Sequence, residues 1–167
     1  MELHLHSHYD LHRMPDWSAA AVAGLAAGAL LLVLELFWST MIAGTNPWPT
    51  TRMIAAIVMG PEMLQGGTFS LAAVALALVI HFVLGTVLGM ILGLIVAPFH
   101  LDSSAGLVLL TGAVFGALVY LVNFYLMTRW FSWFADARGL HTLVGNMLFG
   151  MCAGIAYRGL ETETARR

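Results

Sequence analysis

Three long stretches of this chain contain no Asp, Glu, Lys or Arg: residues 63–101, 103–128 and 139–157. A fourth, residues 17–43, is interrupted by Glu35 alone. A helix needs roughly 20 mostly apolar residues to cross the ~30 Å hydrocarbon core of a bilayer, and each stretch meets that need. In hydrocarbon every backbone N–H and C=O must be satisfied internally, which a helix does along its own length. The expected fold class is an all-α integral membrane protein, with four transmembrane helices forming an antiparallel bundle. Charged residues make up 10% of the 167, against about 25% in soluble domains. The spans leave no length for a soluble catalytic domain.

Punctuation along the chain sets the boundaries. Residues 1–16 form a polar, His-rich segment, and the apolar run that follows is too long for a signal-peptide core, so it reads as a retained span. The membrane domain covers 17–159, with spans near 17–43, 69–97, 104–130 and 140–158, and a polar tail covers 160–167. Asp16 is a helix-start residue, and the Gly/Pro-rich residues 44–49 are a stop. Residues 50–59 follow Pro49 and place Met53, Ile54, Ile57 and Val58 on one face, as expected of a short interfacial helix after the first span. Pro98 ends the second span, and Asp102, Ser103 and Ser104 supply N-cap chemistry for the third. So short a connection leads us to expect the second and third spans to be antiparallel neighbours.

Trp48, Trp130 and Trp133 then gather at one membrane surface as an aromatic belt. Arg13, Arg158, Arg166 and Arg167 lie on the side of the termini, and Arg52, Arg129 and Arg138 on the other. Four against three gives a slight preference for both termini in the cytoplasm. The net charge of −2 and the absence of lysine argue against a nucleic-acid partner. The Ala/Gly/Leu/Val-rich composition suggests a bacterial cytoplasmic (inner) membrane.

An internal echo suggests two duplicated helical hairpins. Gly24, Gly28 and Glu35 in the first span match Gly112, Gly116 and Asn123 in the third at identical spacing, and His81 with Gly85 matches His141 with Gly145. Copies of two spans each share one topology, related by an axis along the membrane normal. Small residues four apart let helices approach closely, so Gly24, Gly28, Gly85, Gly89, Gly93, Gly112, Gly116, Gly150 and Gly154 are the expected packing positions.

The same spacing puts Glu35, Asn123 and His81 on the packing faces. With His141 and Asn146 they form an expected buried polar cluster in the half-membrane nearest the aromatic connections, with Trp38, Tyr120 and Tyr125 as neighbours. An ionisable group in a span costs about 2.5–3.5 kcal/mol and is a functional suspect by default. The structural alternative, polar contacts acting as interhelical glue, carries comparable weight. The functional options are a proton or small-solute pathway, a metal site from Glu35, His81 and His141, a quinone or lipid head-group pocket, or a b-type haem between the two histidines. Haem ligation needs matched depth, whereas His141 starts its helix and His81 is mid-span.

His4, His6, His8 and Asp10 resemble the first metal motif of the polymerase-and-histidinol-phosphatase hydrolases, which implies a metal-dependent barrel. Nothing downstream supplies that barrel. Alternation still places His4, His6 and His8 on one side of an extended segment, a physically reasonable weak site for Cu²⁺, Ni²⁺ or Zn²⁺. Met147, Met151, Gly150 and Gly154 resemble the Met-xxx-Met and Gly-xxx-Gly patterns of eukaryotic copper transporters, which there fall on different helices and here share one. The two-hairpin layout is similar in outline to small bacterial inner-membrane proteins, a resemblance that implies no activity. Cys152 stands alone in the fourth span and forms no internal disulfide.

No nucleophile elbow, phosphate loop, zinc-protease motif or catalytic carboxylate pair is present, and no cofactor is required by the sequence. The expectation is a non-enzymatic auxiliary or structural subunit of a larger bacterial membrane complex, plausibly respiratory, in contact with the lipid bilayer and with other membrane subunits or copies of itself. The alternative is a small proton- or metal-coupled carrier or ion pathway using Glu35 and His81, with a quinone- or haem-binding bundle behind it.

Overall fold

The computed structural model describes residues 13–65 and 69–164, with side chains described as far as Glu161. It is helical throughout, and four of its helices are long and apolar enough to cross a membrane. They are α1 (Trp17–Phe37), α3 (Leu71–Val96), α4 (Ala105–Leu121) and α5 (Leu140–Thr164), and the shorter α2 (Trp48–Met59) follows the first span. The chain is a multi-pass membrane protein, and the four spans among the described residues put Asp16, before α1, and Glu161, near the end of α5, on one side. That side is the terminal side below, and the opposite one, which carries residues 43–70 and 127–139, is the loop-rich side.

Side-chain caps start three of the four spans, α1, α3 and α4, at small polar residues. The Asp16 carboxylate accepts from the amides of Ser18 and Ala19, both at 3.0 Å. Ser70 accepts from Ala73 at 3.3 Å and Ser104 from Leu107 at 3.1 Å. Each side-chain oxygen satisfies a donor that the first helical turn leaves free. The α3 terminus closes differently. His100 adopts φ +53°, and the Leu101 amide reaches back to the Val96 carbonyl at 3.1 Å, a left-handed cap more often built on glycine.

Both first helices of the hairpins widen into a π turn at the loop-rich end, α1 over Trp38–Ile42 and α4 over Val122–Leu126. In α1 the hydroxyls of Ser39 and Thr40 take the Leu36 carbonyl at 3.1 and 2.6 Å, competing with its usual backbone donor. In α4 the Arg138 guanidinium donates to the Phe124 carbonyl at 2.6 Å and to Thr128 Oγ1 at 3.1 Å while resting 4.4 Å from the Tyr125 ring centroid.

The packing order across the bundle is α3, α1, α5, α4. Within each hairpin the contact is backbone on backbone. A Cβ added at Gly89 would lie 2.5 Å from both the Ala20 carbonyl oxygen and Gly24 Cα, and one at Gly24 would lie 2.8 Å from Gly89 Cα. In the second hairpin a Cβ at Gly112 or at Gly116 would lie 2.6 Å from the carbonyl carbon of Gly150 or of Asn146. All nine glycines read as packing positions are buried.

The structure corrects one expectation: α3 and α4 are joined by a short turn and run antiparallel, yet they pack little on each other. The glycine ridge of α3 is taken up by α1 and that of α4 by α5, and these close seams gain more dispersion contact than bulky Leu and Val faces could. Between the hairpins, Ala19, Ala20, Ala23 and Ala27 of α1, Leu92 and Val96 of α3, and Phe149, Ala153 and Tyr157 of α5 form a buried apolar core on the terminal side. Trp133 of the turn before α5 donates its indole N–H to the Met53 carbonyl at 3.0 Å, tying α2 to the second hairpin across the loop-rich side.

Candidate functional site

Glu35 lies on the continuation of the Gly24/Gly28 face, where α1 leaves the glycine seam and faces α5. Its Oε1 would stand 3.0 Å from a Cβ at Gly145, so the absence of a side chain there makes room for the carboxyl. His81 of α3 sits one level deeper, its Nε2 2.8 Å from the Gly28 carbonyl oxygen across the α1–α3 seam. His141 of α5 sits one level shallower. Its ring stacks on Trp38 with centroids 5.9 Å apart and planes within 4°, and its Nε2 lies 3.0 Å from Thr142 Oγ1. Both imidazoles are near enough to Glu35 to act on it electrostatically.

Three titratable side chains from three spans are therefore strung along α1, at the levels of Gly28, Glu35 and Trp38. At ~1.5 Å per residue, Glu35 is about 10 Å in from the end of the span at Ile42. It is half-buried and makes no hydrogen bond to a described residue.

The expected five-residue cluster divides. Glu35, His81 and His141 come together around α1, but His141 is exposed, not buried, since it opens α5 at the rim. Asn146 turns instead to the α4 seam and donates to the Thr142 carbonyl at 2.8 Å within its own helix. Asn123 is half-buried in the π turn of α4, and no hydrogen bond joins either asparagine to Glu35 or to the histidines. The His81/His141 echo also slips by one residue. Gly24 meets Gly89 and Gly28 meets Gly85, while Gly112 meets Gly150 and Gly116 meets Asn146. Thr142, not His141, thus holds the seam position of His81, and one residue of helix, about 100°, turns His141 towards α1.

Among the described residues no three His, Cys, Asp or Glu side chains come together to hold a metal ion, which removes the Glu35, His81 and His141 metal site. His4, His6 and His8 lie outside the described residues. Met147 and Met151 lie with their backbone against Gly116 and Gly112, as packing residues of the α4–α5 seam.

A second polar network, on the terminal side, escaped the sequence reading. Arg13 pairs with Asp102 at 3.0 Å and with Glu161, Tyr157 donates its hydroxyl to Glu161 at 3.1 Å, and the same hydroxyl accepts from the Asp16 amide at 3.2 Å. Burial works against the charge on Arg13, but the Glu161 hydrogen bond and the Asp102 and Glu161 charges outweigh it and raise the guanidinium pKa. This network joins the entry to α1, the α3–α4 turn and the end of α5. Its signal was present as opposite charges flanking spans that end on one side. No protein-family model, curated protein or solved structure matches the chain.

Proposed function

We propose that this protein is a non-enzymatic subunit of a larger bacterial inner-membrane assembly of the respiratory kind, with both termini in the cytoplasm. One observation carries the reading: Glu35 is half-buried within a span and has no hydrogen-bond partner among the described residues. Polar groups at membrane depth need partners from protein or from an internal aqueous cavity. A neighbouring chain supplies such a partner most simply. The weak packing of α3 on α4 points the same way, because it leaves the bundle unclosed along one side. Extraction in mild detergent followed by native mass spectrometry tests the proposal. We expect stoichiometric co-purification with other membrane subunits, and recovery of the chain alone or only with copies of itself refutes it.

A second reading, a proton- or ion-coupled carrier acting as a homo-oligomer, is favoured by the alignment of His81, Glu35 and His141 along one helix. Its test is solute or proton flux in proteoliposomes. On this reading Glu35→Gln abolishes a flux that the wild type shows, and an unchanged flux removes Glu35 from the path.

A further inference from the structure

We infer that Glu35, with His81 and His141 on either side, is a proton-binding site reached from the loop-rich side and closed towards the terminal side. The inference goes beyond subunit membership and holds whether the chain works in an assembly or alone. It shares Glu35 with the carrier reading but assigns the carboxyl a single direction of access.

The ligand class follows from the donors. α1 packs against α3 and α5, and the titratable groups those helices turn towards Glu35 are His81 and His141. One carboxyl and two imidazoles are groups that bind and release protons, whereas a hard cation needs an oxygen cage that this set lacks. On the loop-rich side, exposed His141 stands at the rim over Trp38, half-buried Glu35 lies below it, and His81 ends the series with its Nε2 at the Gly28 carbonyl.

Beyond His81 the route stops. Gly24 and Gly89 meet with no space for a methyl group, hence none for a water. The α1–α5 and α3–α5 contacts at that depth are the apolar core of Ala20, Ala23, Ala27, Leu92, Val96, Phe149 and Ala153. The Thr86 hydroxyl, five residues beyond His81 on α3, is spent on the Phe82 carbonyl of its own helix, and the Tyr157 hydroxyl farther on is engaged by Asp16 and Glu161. A proton taken up at Glu35 leaves by the way it came, unless another chain accepts it at mid-membrane or the seam repacks.

The test uses the full chain in proteoliposomes of known orientation, with buffered pH jumps applied to one side at a time and the carboxyl C=O stretch followed by infrared difference spectroscopy. A jump on the loop-rich side is expected to move a carboxyl band that Glu35→Gln lacks, and the same jump on the terminal side leaves that band in place. A response to the terminal side, or a band that survives in Glu35→Gln, overturns the inference. Should Glu35→Gln fail to fold, a Cys152→Ser chain carrying Glu35→Cys decides by reaction with a membrane-impermeant thiol reagent. Labelling from the loop-rich side alone supports the site, and labelling from the terminal side, or from neither, overturns it. The mass measurement above decides assembly independently of these outcomes.

Discussion

Two glycines of the α1–α3 seam, Gly28 on α1 and Gly89 on α3, show how finely it discriminates. A Cβ at Gly28 meets His81 Nε2 at 3.7 Å and Gly85 Cα at 3.8 Å, ordinary van der Waals contact. Gly28→Ala is therefore expected to leave stability within about 0.5 kcal/mol of the parent. Gly89→Ala drives its methyl into the backbone of Ala20 and Gly24, and rigid backbone cannot yield as a side chain would. It should cost about 1–3 kcal/mol, the range of overpacking. Unfolding in mixed micelles with rising SDS measures both. Arg13 offers a second residue-scale test, because the Asp102 and Glu161 side chains it pairs with are 9% and 13% exposed while its own is 34% exposed. Arg13→Gln should destabilise by an amount between the ~1 kcal/mol of an exposed pair and the ~3–5 kcal/mol lost when a buried partner is stranded. A double-mutant cycle with Glu161→Gln isolates the shared part, and an additive cycle would show that the clasp contributes nothing.

At the scale of elements, the loop-rich ends of α1 and α4 differ from the rest of their helices in how the carbonyls are satisfied. The end of α4 depends on the fork of Arg138, which donates in two directions and rests on Tyr125. Lysine is a point charge without that fork. Arg138→Lys should accelerate amide exchange over residues 127–131 while leaving α3 protected, and uniform exchange would locate the stability of this end elsewhere. Spans, the caps at Asp16 and Ser104, and seam glycines were legible in the sequence because they are local or periodic properties, such as charge-free length, a small polar residue before a run, and small residues four apart; the Ser70 cap was not read. Which ridge meets which was not legible. Loop length suggested α3 against α4, but closeness of approach decided for α1 against α3 and α4 against α5.

For the whole molecule, four spans place Asn46 and Asp136 together on the loop-rich side and His100 on the other. In a Cys152→Ser background, cysteines replacing Asn46 and Asp136 should react with an impermeant thiol reagent from one face and a cysteine replacing His100 from the opposite face. A shared face for all three would refute the four-span topology. The bundle as a whole divides by depth, with an apolar core and a charge clasp on the terminal side and the Glu35, His81 and His141 series on the loop-rich side. The apolar core separates the two polar groups.

The sequence by itself determined that the chain is helical and membrane-spanning, and it put Glu35 and His81 on packing faces. These follow from hydrocarbon's intolerance of bare backbone and charge, and from the 3.6-residue period. Only tertiary structure decided that Asn123 and Asn146 stand apart from Glu35, that His141 turns to Trp38 and not into the α4–α5 seam, and that Arg13 reaches Asp102 and Glu161. The physical reason is the same in each case. A one-residue change of register rotates a side chain by about 100°, and register is set by contact between helices far apart in sequence.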